Sequence, residues 1–242
     1  MFFNYVNQKQ PYARQIHLTK KEKDLAKAFE IIIPDDYAPN FNLAPTQNGL
    51  VITADEPEIA QNMHFGLGPY WAADTKLNIS TLNTRSEEVL SKKTWKPLIE
   101  KHKTCLVIAD SFYEWDRKTG KSIPWRFVLK DREIFSFAGL WSQWKSKDGS
   151  VVYRSFSIMT TKANKMVGKV HDPKDRMPVI LDRHEEKLWL SKDIRTTDLL
   201  SLCDTYPDEG MDCYRVSTDV NAAAIKAVPN NLPELIMPLN TL

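Results

Sequence analysis

The chain has 242 residues, of which 42% are hydrophobic and 26% charged, and its formal net charge is +2. This length allows one domain with a sizeable core, and we expect a single domain over residues 1–242. No apolar run approaches the ~20 residues that span a bilayer, and the first residues lack the features of a secretory signal, so we expect a cytoplasmic protein without membrane partners. A net charge this small does not by itself indicate nucleic-acid binding, which depends on local clusters of lysine and arginine.

Cysteine usage gives no sign of a metal site or of a disulfide framework. Cys105, Cys203 and Cys213 are odd in number and far apart, and no pair of them has the spacing that builds zinc sites. We therefore expect reduced thiols, no metal and no cofactor.

The first predicted element is an amphipathic helix over residues 18–31. Its apolar residues recur at helical spacing, and Thr19 stands three residues before Glu22, as in a capping box. Three prolines between residues 34 and 45 then indicate a loop-rich stretch.

Two strands and a helix are predicted next. Residues 50–55 form a short apolar run, and residues 64–71 fit a strand followed by a turn. Residues 85–102 predict a helix that is interrupted near Pro97.

From residue 104 the pattern changes to repeated β-runs with glycine-containing turns at 118–121 and 147–150. The runs cover residues 104–115, 123–130, 133–144 and 151–161. Such a series indicates consecutive antiparallel hairpins. Short helical patterns follow at 162–171, 183–191 and 196–203, with a strand-like run at 176–181. The sequence therefore predicts an α+β fold, a curved and mainly antiparallel sheet or partly open β-barrel flanked by short helices.

A carboxylate between two aromatic residues poses the main question about function. Glu114 lies between Tyr113 and Trp115 in a run that otherwise has the composition of a buried strand. Strand alternation offers a simple explanation, in which Glu114 faces water. The other explanation is that the aromatic neighbours partly desolvate the carboxylate and raise its pKa into a range useful for proton transfer.

Other polar residues interrupt apolar segments, and each has an ordinary structural explanation when taken alone. Asn42 and Asn83 fit turn positions, and Arg85 fits the start of a helix whose first turn is acidic. His171 fits a residue at a helix C-terminus or a hydrogen-bonded core histidine.

Taken together and in this order, these segments resemble the SOS response-associated peptidase (SRAP) family, the abasic-site processing domain. The matching segments are Asn42-Leu43-Ala44-Pro45, Phe65-Gly66-Leu67-Gly68-Pro69 with Trp71, Leu82-Asn83-Thr84-Arg85-Ser86-Glu87, Cys105-Leu106 through Ala109-Asp110, Phe112-Tyr113-Glu114-Trp115, Phe137-Ala138-Gly139-Leu140-Trp141, Thr160-Thr161, and His171 with Arg176-Met177-Pro178-Val179. They are spread over nearly the whole chain.

This resemblance implies a protein that binds an abasic site in single-stranded DNA and links to it covalently. In the family, removal of the initiator methionine exposes a cysteine whose α-amine attacks the sugar aldehyde to give an imine, and whose thiol then closes a thiazolidine ring. An α-amine has a pKa of ~8, so a useful fraction is neutral and nucleophilic near neutral pH.

The resemblance also implies roles for particular residues. Glu114 would be the general acid/base, His171 a second proton carrier, and Asn83 the residue that holds the sugar or the N-terminus. The implied DNA-binding residues are Arg85 and Arg176 for phosphates, Thr160 as a hydrogen-bond donor to the DNA backbone, Pro45 and Trp71 as apolar or stacking surface, and Asn42.

The chain departs from the family pattern at two places. It begins Met1-Phe2 where the family has Met-Cys, so either a cysteine has been lost between these residues or the protein is a variant that forms a reversible imine through Met1. The spacing between His171 and Arg176 is also longer than in the compact family form, which weakens the assignment of Arg176.

Besides a self-crosslinking DNA repair protein that cleaves its own Met1, the sequence leaves two other functions open. One is a non-catalytic single-stranded DNA-binding module that has lost the nucleophile. The other is an ordinary protease, for which no nucleophile elbow or partnered triad pattern gives support. We do not expect Cys105 to act as the nucleophile in place of the missing cysteine. Cys105 lies at the start of an apolar run, where a small buried hydrophobic residue is expected. We expect a monomer that associates with the bacterial nucleoid when bound to DNA.

Overall fold

The computed structural model describes residues 15–74, 81–170, 175–222 and 230–239. The strands in these ranges, numbered in chain order, are β1 (Ile16–Leu18), β2 (Asn40–Leu43), β3 (Asn48–Thr53), β4 (Glu56–Phe65), β5 (Asn83–Arg85), β6 (Thr104–Ala109), β7 (Ser111–Asp116), β8 (Ile123–Leu129), β9 (Phe135–Lys145), β10 (Val152–Lys162), β11 (Arg176–Pro178), β12 (Ile180–Leu181) and β13 (Met211–Arg215).

The helices of the described ranges are short. They are α1 (Glu22–Phe29), α2 (Lys96–Glu100), α3 (Lys165–Val170), α4 (Arg183–Leu190) and α5 (Thr196–Ser201), and a 3₁₀ turn, Ser86–Ser91, follows β5 directly. Across these parts of the chain, none of the helices has the length and apolar character needed to cross a membrane.

Five strands close into a barrel. Around the ring, β10 pairs with β4, β4 with β3, β3 with β6, β6 with β9, and β9 again with β10. Only the β10–β4 pair in this ring is parallel. Strands β11 and β5 extend the sheet from β10, and β12 extends it from β9. The predicted α+β class is confirmed, and the barrel is closed.

A second sheet, in the order β13–β8–β7–β1–β2, is antiparallel throughout and carries Glu114 on β7. One hydrophobic cluster joins the two sheets, with Phe156 and Val51 from the barrel and Phe112 and Phe127 from the second sheet. The barrel packs tightly, since a Cβ on Gly49 of β3 would lie 3.0 Å from Cζ of Phe156 on β10, two strands away.

A second cluster covers the other face of the barrel strands. Leu50 and Ile52 flank Val51 on β3 and pack in this cluster with Leu25 of α1 and Trp189 of α4, as strand alternation requires. A third cluster lies behind the second sheet, where Tyr113 and Trp115 pack against Val216, Val220 and Leu235. Both faces of β7 are therefore covered.

Three local predictions are wrong. Thr19 does not cap α1, which has Lys21 as its N-cap residue without a side-chain hydrogen bond. Instead the amide and Oγ1 of Thr19 both donate to Oδ2 of Asp110 at 2.6 Å. Pro97 does not interrupt a helix but lies in the first turn of α2, where its missing N–H has no intrahelical partner to lose.

The third concerns the β-runs. Runs 123–130, 133–144 and 151–161 correspond to β8, β9 and β10, but run 104–115 is two strands, and β6 lies in the barrel while β7 lies in the second sheet. Only β7–β8 and β9–β10 are sequential hairpin pairs in this series. The stretch with three prolines, predicted to be rich in loops, also contains strand β2.

Candidate active site

Glu114 lies in the middle of β7 and is only 1% exposed. It follows Phe112 on the same face of the strand, so it points toward the cluster between the two sheets rather than toward water. The explanation by simple alternation is wrong here, because covering elements lie on both faces of the strand. The sequence could not reveal this, since alternation states which residues share a face but not whether that face is covered.

Trp125 is the cross-strand partner of Glu114 on β8. Directly opposed residues lie on the same face, with Cβ atoms about 5 Å apart. The indole of Trp125 packs against the cluster between the sheets, so an aromatic surface borders the carboxylate. Sequence analysis did not identify Trp125, because the register of β7 against β8 was needed to find it.

The first described strand enters the fold beside Glu114. Ile16 of β1 pairs with Phe112 of β7, and the carbonyl of Gln15 accepts a hydrogen bond of 3.2 Å from the amide of Tyr113. Glu114 is the next residue along β7. Residues 1–14, to which the predicted nucleophile belongs, lie outside the described residues.

The turn after β7 places one cationic side chain, that of Arg117, within electrostatic reach of Glu114. Burial lowers the pKa of Arg117, and the Glu114 carboxylate acts in the opposite sense on the same group. The neighbouring Lys118 donates its Nζ hydrogen bond to the carbonyl of Lys169 in α3. This contact ties the β7–β8 turn to the helix that ends one residue before His171, and His171 itself lies outside the described residues.

A second group of predicted residues gathers along β10. The parallel pairing of β5 sets Asn83 against Ile158 and Arg85 against Thr160. Thr160 is 4% exposed, and its Oγ1 donates to the carbonyl of Thr84 at 3.3 Å. Asn83 is half-buried and Arg85 is exposed. Because they are two residues apart on β5, their side chains lie on the same face of the strand.

The two predicted phosphate-binding arginines each have an acidic partner from the 3₁₀ turn after β5. Arg85 Nη1 lies 3.2 Å from Glu88 Oε1, and both side chains are largely exposed. Arg176 makes a bidentate pair with Glu87, at 2.5 Å and 2.9 Å, and its Nη2 also donates to the Thr160 carbonyl at 2.6 Å.

Electrostatics at Glu87 reflect this pairing. Burial acts to raise the pKa of the Glu87 carboxyl, but the hydrogen bonds and the charge of Arg176 outweigh it, so the pKa lies below its ordinary value. The ion pair therefore persists throughout the neutral range.

Asn42 and Pro45 lie on or beside β2 of the second sheet, not along β10. Leu43 of β2 faces the cluster between the sheets, so Asn42 points to the opposite face, where it is 2% exposed. Its Nδ2 donates to the carbonyl of Val220 at 3.2 Å, which fastens the C-terminal region to β2. Pro45 is half-buried in the turn that follows β2.

Trp71 is 47% exposed, and Lys93 Nζ lies 4.9 Å from its ring centroid. The next residue, Ala72, accepts a 2.8 Å hydrogen bond from the indole of Trp144, which pairs with Tyr153. Tyr153 lies seven residues before Thr160 on β10, about 23 Å at the strand rise of about 3.3 Å per residue. Trp71 therefore lies toward the turn end of the β9–β10 hairpin, away from Arg85.

Cys105 is fully buried, and burial raises the pKa of its thiol far above the ordinary value. The interpretation as a small buried hydrophobe is confirmed, and a buried neutral thiol is a poor nucleophile. Among the described residues, no three histidine, cysteine or acidic side chains come together as metal ligands.

Comparisons with known proteins show which family and which architecture the chain resembles. The model of the family described as SOS response associated peptidase (SRAP) matches residues 14–223. The chain is 39% identical over 220 residues to the abasic site processing protein YoqW of Bacillus subtilis (strain 168), covering 88% of this chain and 93% of that protein. It is 38% identical over 205 residues to the abasic site processing protein YoaM of the same organism, covering 83% and 86%.

A solved structure shares the architecture. The crystal structure of a protein from Bacteroides thetaiotaomicron matches with a TM-score of 0.79 at 26% identity, covering 93% of this chain and 99% of that one.

Proposed function

The chain belongs to the SOS response associated peptidase (SRAP) family, and from that premise we propose that it processes abasic sites in DNA. We infer that it binds single-stranded DNA that contains an abasic site and forms a covalent link to the sugar aldehyde through its N-terminus. The names of the relatives, abasic site processing proteins, support the substrate class.

The observation that carries this proposal is the position of Glu114. A carboxyl group that is 1% exposed borders an aromatic surface and lies two residues along β7 from Phe112, which pairs with Ile16 of β1, the first described strand. In this position a carboxyl group can accept a proton from one reacting atom and donate it to another.

In the proposed reaction the α-amine adds to the aldehyde carbon, so a C–N bond forms and the carbonyl oxygen becomes a hydroxyl group. Glu114 takes one N–H proton and delivers it to the carbonyl oxygen, which forms that hydroxyl group. It then takes the second N–H proton and delivers it to the hydroxyl group, which leaves as water as the C=N bond of the imine forms. Where the N-terminal residue is a cysteine, its sulfur adds to the imine carbon, and the thiol proton passes to nitrogen to complete a thiazolidine. Autoproteolytic removal of Met1 would precede this chemistry.

The remaining roles are part of the same proposal. Asn83 holds the sugar, His171 carries the second proton, and Arg85 neutralises a phosphate. Exposed Trp71 offers a face on which a base can stack, with Pro45 as additional apolar surface. Thr160 and Asn42 act from buried positions, where their contacts to Thr84 and Val220 support the backbone around the site.

The proposed partner is DNA with abasic sites, bound by a monomer at the nucleoid. Neither a metal ion nor a cofactor enters the proposed chemistry.

The test is incubation of the full chain with a single-stranded oligonucleotide that carries one abasic site, followed by denaturing electrophoresis with and without borohydride. We expect a denaturation-resistant adduct, and Glu114→Gln should slow its formation at least tenfold while changing DNA affinity less than threefold, as in the loss of a general acid/base. Glu100→Gln, at an exposed carboxylate of α2, is the matched control.

The outcomes separate the alternatives. An adduct seen only after reduction indicates an imine without ring closure. DNA binding without any adduct would favour the non-catalytic binding module, and the absence of both would reject the proposed function. Intact mass of the purified protein identifies the first residue and so the nucleophile.

A further inference from the structure

Two consecutive glutamates of the 3₁₀ turn Ser86–Ser91 hold the two arginines assigned to DNA phosphates. Glu88 holds Arg85, and Glu87 holds Arg176. The two pairs differ in a way that indicates different functions.

The Arg85–Glu88 pair is exposed and is made by a single contact of 3.2 Å, with side chains 45% and 39% exposed. Glu88 is also shared with Lys92, at 3.5 Å. Exposed pairs of this kind add little to stability and exchange readily. A DNA phosphate can replace Glu88 at Arg85 at little cost.

The Glu87–Arg176 pair is a fixed contact. It is made by two hydrogen bonds, at 2.5 Å and 2.9 Å, and the Arg176 side chain is only 12% exposed although that of Glu87 is 52% exposed, so the fixed member of the pair is Arg176. The same guanidinium donates to both the carbonyl and the Oγ1 of Thr160. Bidentate charge-assisted bonds fix geometry as well as adding energy. We refer to Glu87, Arg176 and Thr160 as the clamp.

The clamp joins three separate elements beside the candidate site. Glu87 is in the turn after β5, Arg176 is in β11, and Thr160 lies between them on β10. Strand β5 is three residues long and pairs only with β10 among the described strands, so few backbone hydrogen bonds hold it. The side-chain contact through Glu87 secures its C-terminal end, where Arg85 is located.

We propose that Glu87 is a positioning residue of the DNA site, which acts through Arg176 to fix β5 and thereby Asn83 and Arg85. This inference rests on the proposed function for the identity of the ligand, single-stranded DNA. In this assignment Arg176 contributes through the clamp, and Arg85 supplies the exchangeable phosphate contact.

The opposite assignment would make Glu87 a competitor that occupies Arg176 until DNA arrives. The geometry argues against it, because Arg176 is mostly buried and also bonded to the Thr160 carbonyl, which a phosphate on the surface does not displace. The lowered pKa of Glu87 supports the same assignment, since the pair stays ionised well below neutral pH.

The experiment measures the affinity of a fluorescein-labelled single-stranded oligonucleotide with one reduced abasic site, which has no aldehyde and cannot crosslink, over a series of NaCl concentrations, for the wild type and three variants. We expect Glu87→Gln to weaken binding about tenfold, as expected when a charge-assisted contact no longer fixes the site, with an unchanged slope of log K against log salt. Glu88→Gln, the matched control one residue away, should change affinity less than threefold. Glu87→Asp keeps the carboxylate and every contact of Arg176 with Thr160, so it should retain more affinity than Glu87→Gln.

Tighter binding of Glu87→Gln with a steeper salt dependence would show that Glu87 competes with phosphate and would overturn the proposal. Unchanged affinity in that variant, or a Glu87→Asp variant that binds more weakly than Glu87→Gln, would also overturn it. Amide hydrogen exchange of residues 83–91 provides a second measurement that needs no DNA. Faster exchange there in Glu87→Gln but not in Glu88→Gln supports the clamp even if the wild type fails to bind or crosslink DNA, and equal exchange in the two variants rejects it.

Discussion

Acidification from pH 7 to pH 5 should destabilise the fold through one buried imidazole, that of His17. This residue of β1 is fully buried, and its ring contacts the Tyr113 ring edge-on at a centroid distance of 3.9 Å. Within the described residues, neither ring nitrogen makes a hydrogen bond of good geometry. Protonation would place a charge in a fully buried site.

The magnitude follows from the pKa of His17, which burial lowers from 6.5 to about 3. The charge of Arg126 acts in the same direction, and Asp110 and the Phe41 backbone offset only part of the effect. On acidification, the unfolded chain takes up the proton at a higher pH than the folded chain does. The contribution of neutral His17 to the free energy of unfolding is therefore fully present above pH 6.5 and is lost as the pH decreases toward 3. Linkage gives a loss of about 2 kcal/mol in the free energy of unfolding at pH 5.

Urea denaturation of the wild type at pH 7, 6 and 5 measures this loss, and His17→Asn should remove most of the dependence in that interval. His184→Gln, at an exposed histidine in α4, serves as the control and should leave the dependence unchanged. Carbon-detected NMR of the His17 ring gives the pKa directly. Titration of this ring near pH 6.5 in the folded protein, or parallel pH profiles for the wild type and His17→Asn, would refute the reasoning.

Three further predictions concern packing, a helix end and DNA binding. Gly139→Ala places a Cβ 2.8 Å from the Cys105 sulfur and 3.1 Å from the Ser157 carbonyl oxygen, and urea denaturation should show a loss of about 1–3 kcal/mol or more. Asp182→Ala removes the cap of α4, whose carboxylate accepts two helix N–H groups, and should cost about 1 kcal/mol in the same assay. Arg85→Ala should weaken single-stranded DNA binding and reduce the salt slope by about 0.7, as for one lost phosphate contact. An unchanged slope would remove Arg85 from the phosphate contacts.

Local sequence patterns predicted the elements that are built from consecutive residues. The β-runs from residue 123 to 161 correspond to β8, β9 and β10, since long alternating segments and glycine turns act within a hairpin. The helix at α4 was also found, because its apolar spacing is local. The family resemblance rested on short motifs, and the match over residues 14–223 confirms it.

Predictions failed where distant residues compete for the same group. Thr19 and Glu22 have the spacing of a capping box, yet Asp110, 91 residues away, takes both donors of Thr19. The run at 104–115 reads as one strand, but its two halves join different sheets, which depends on their partners rather than on their own residues.

The sequence by itself determined the family, the α+β class and the types of residue available for proton transfer and phosphate binding, because these depend on short motifs and local periodicity. Only the tertiary structure decided that Glu114 is buried, since burial requires elements on both faces of β7. It also decided that Arg176 is held by Glu87, because an ion pair between residues 89 positions apart exists only when β5 and β11 meet on β10. Side-chain chemistry is a property of each residue, but its solvation and its partners are properties of the folded chain.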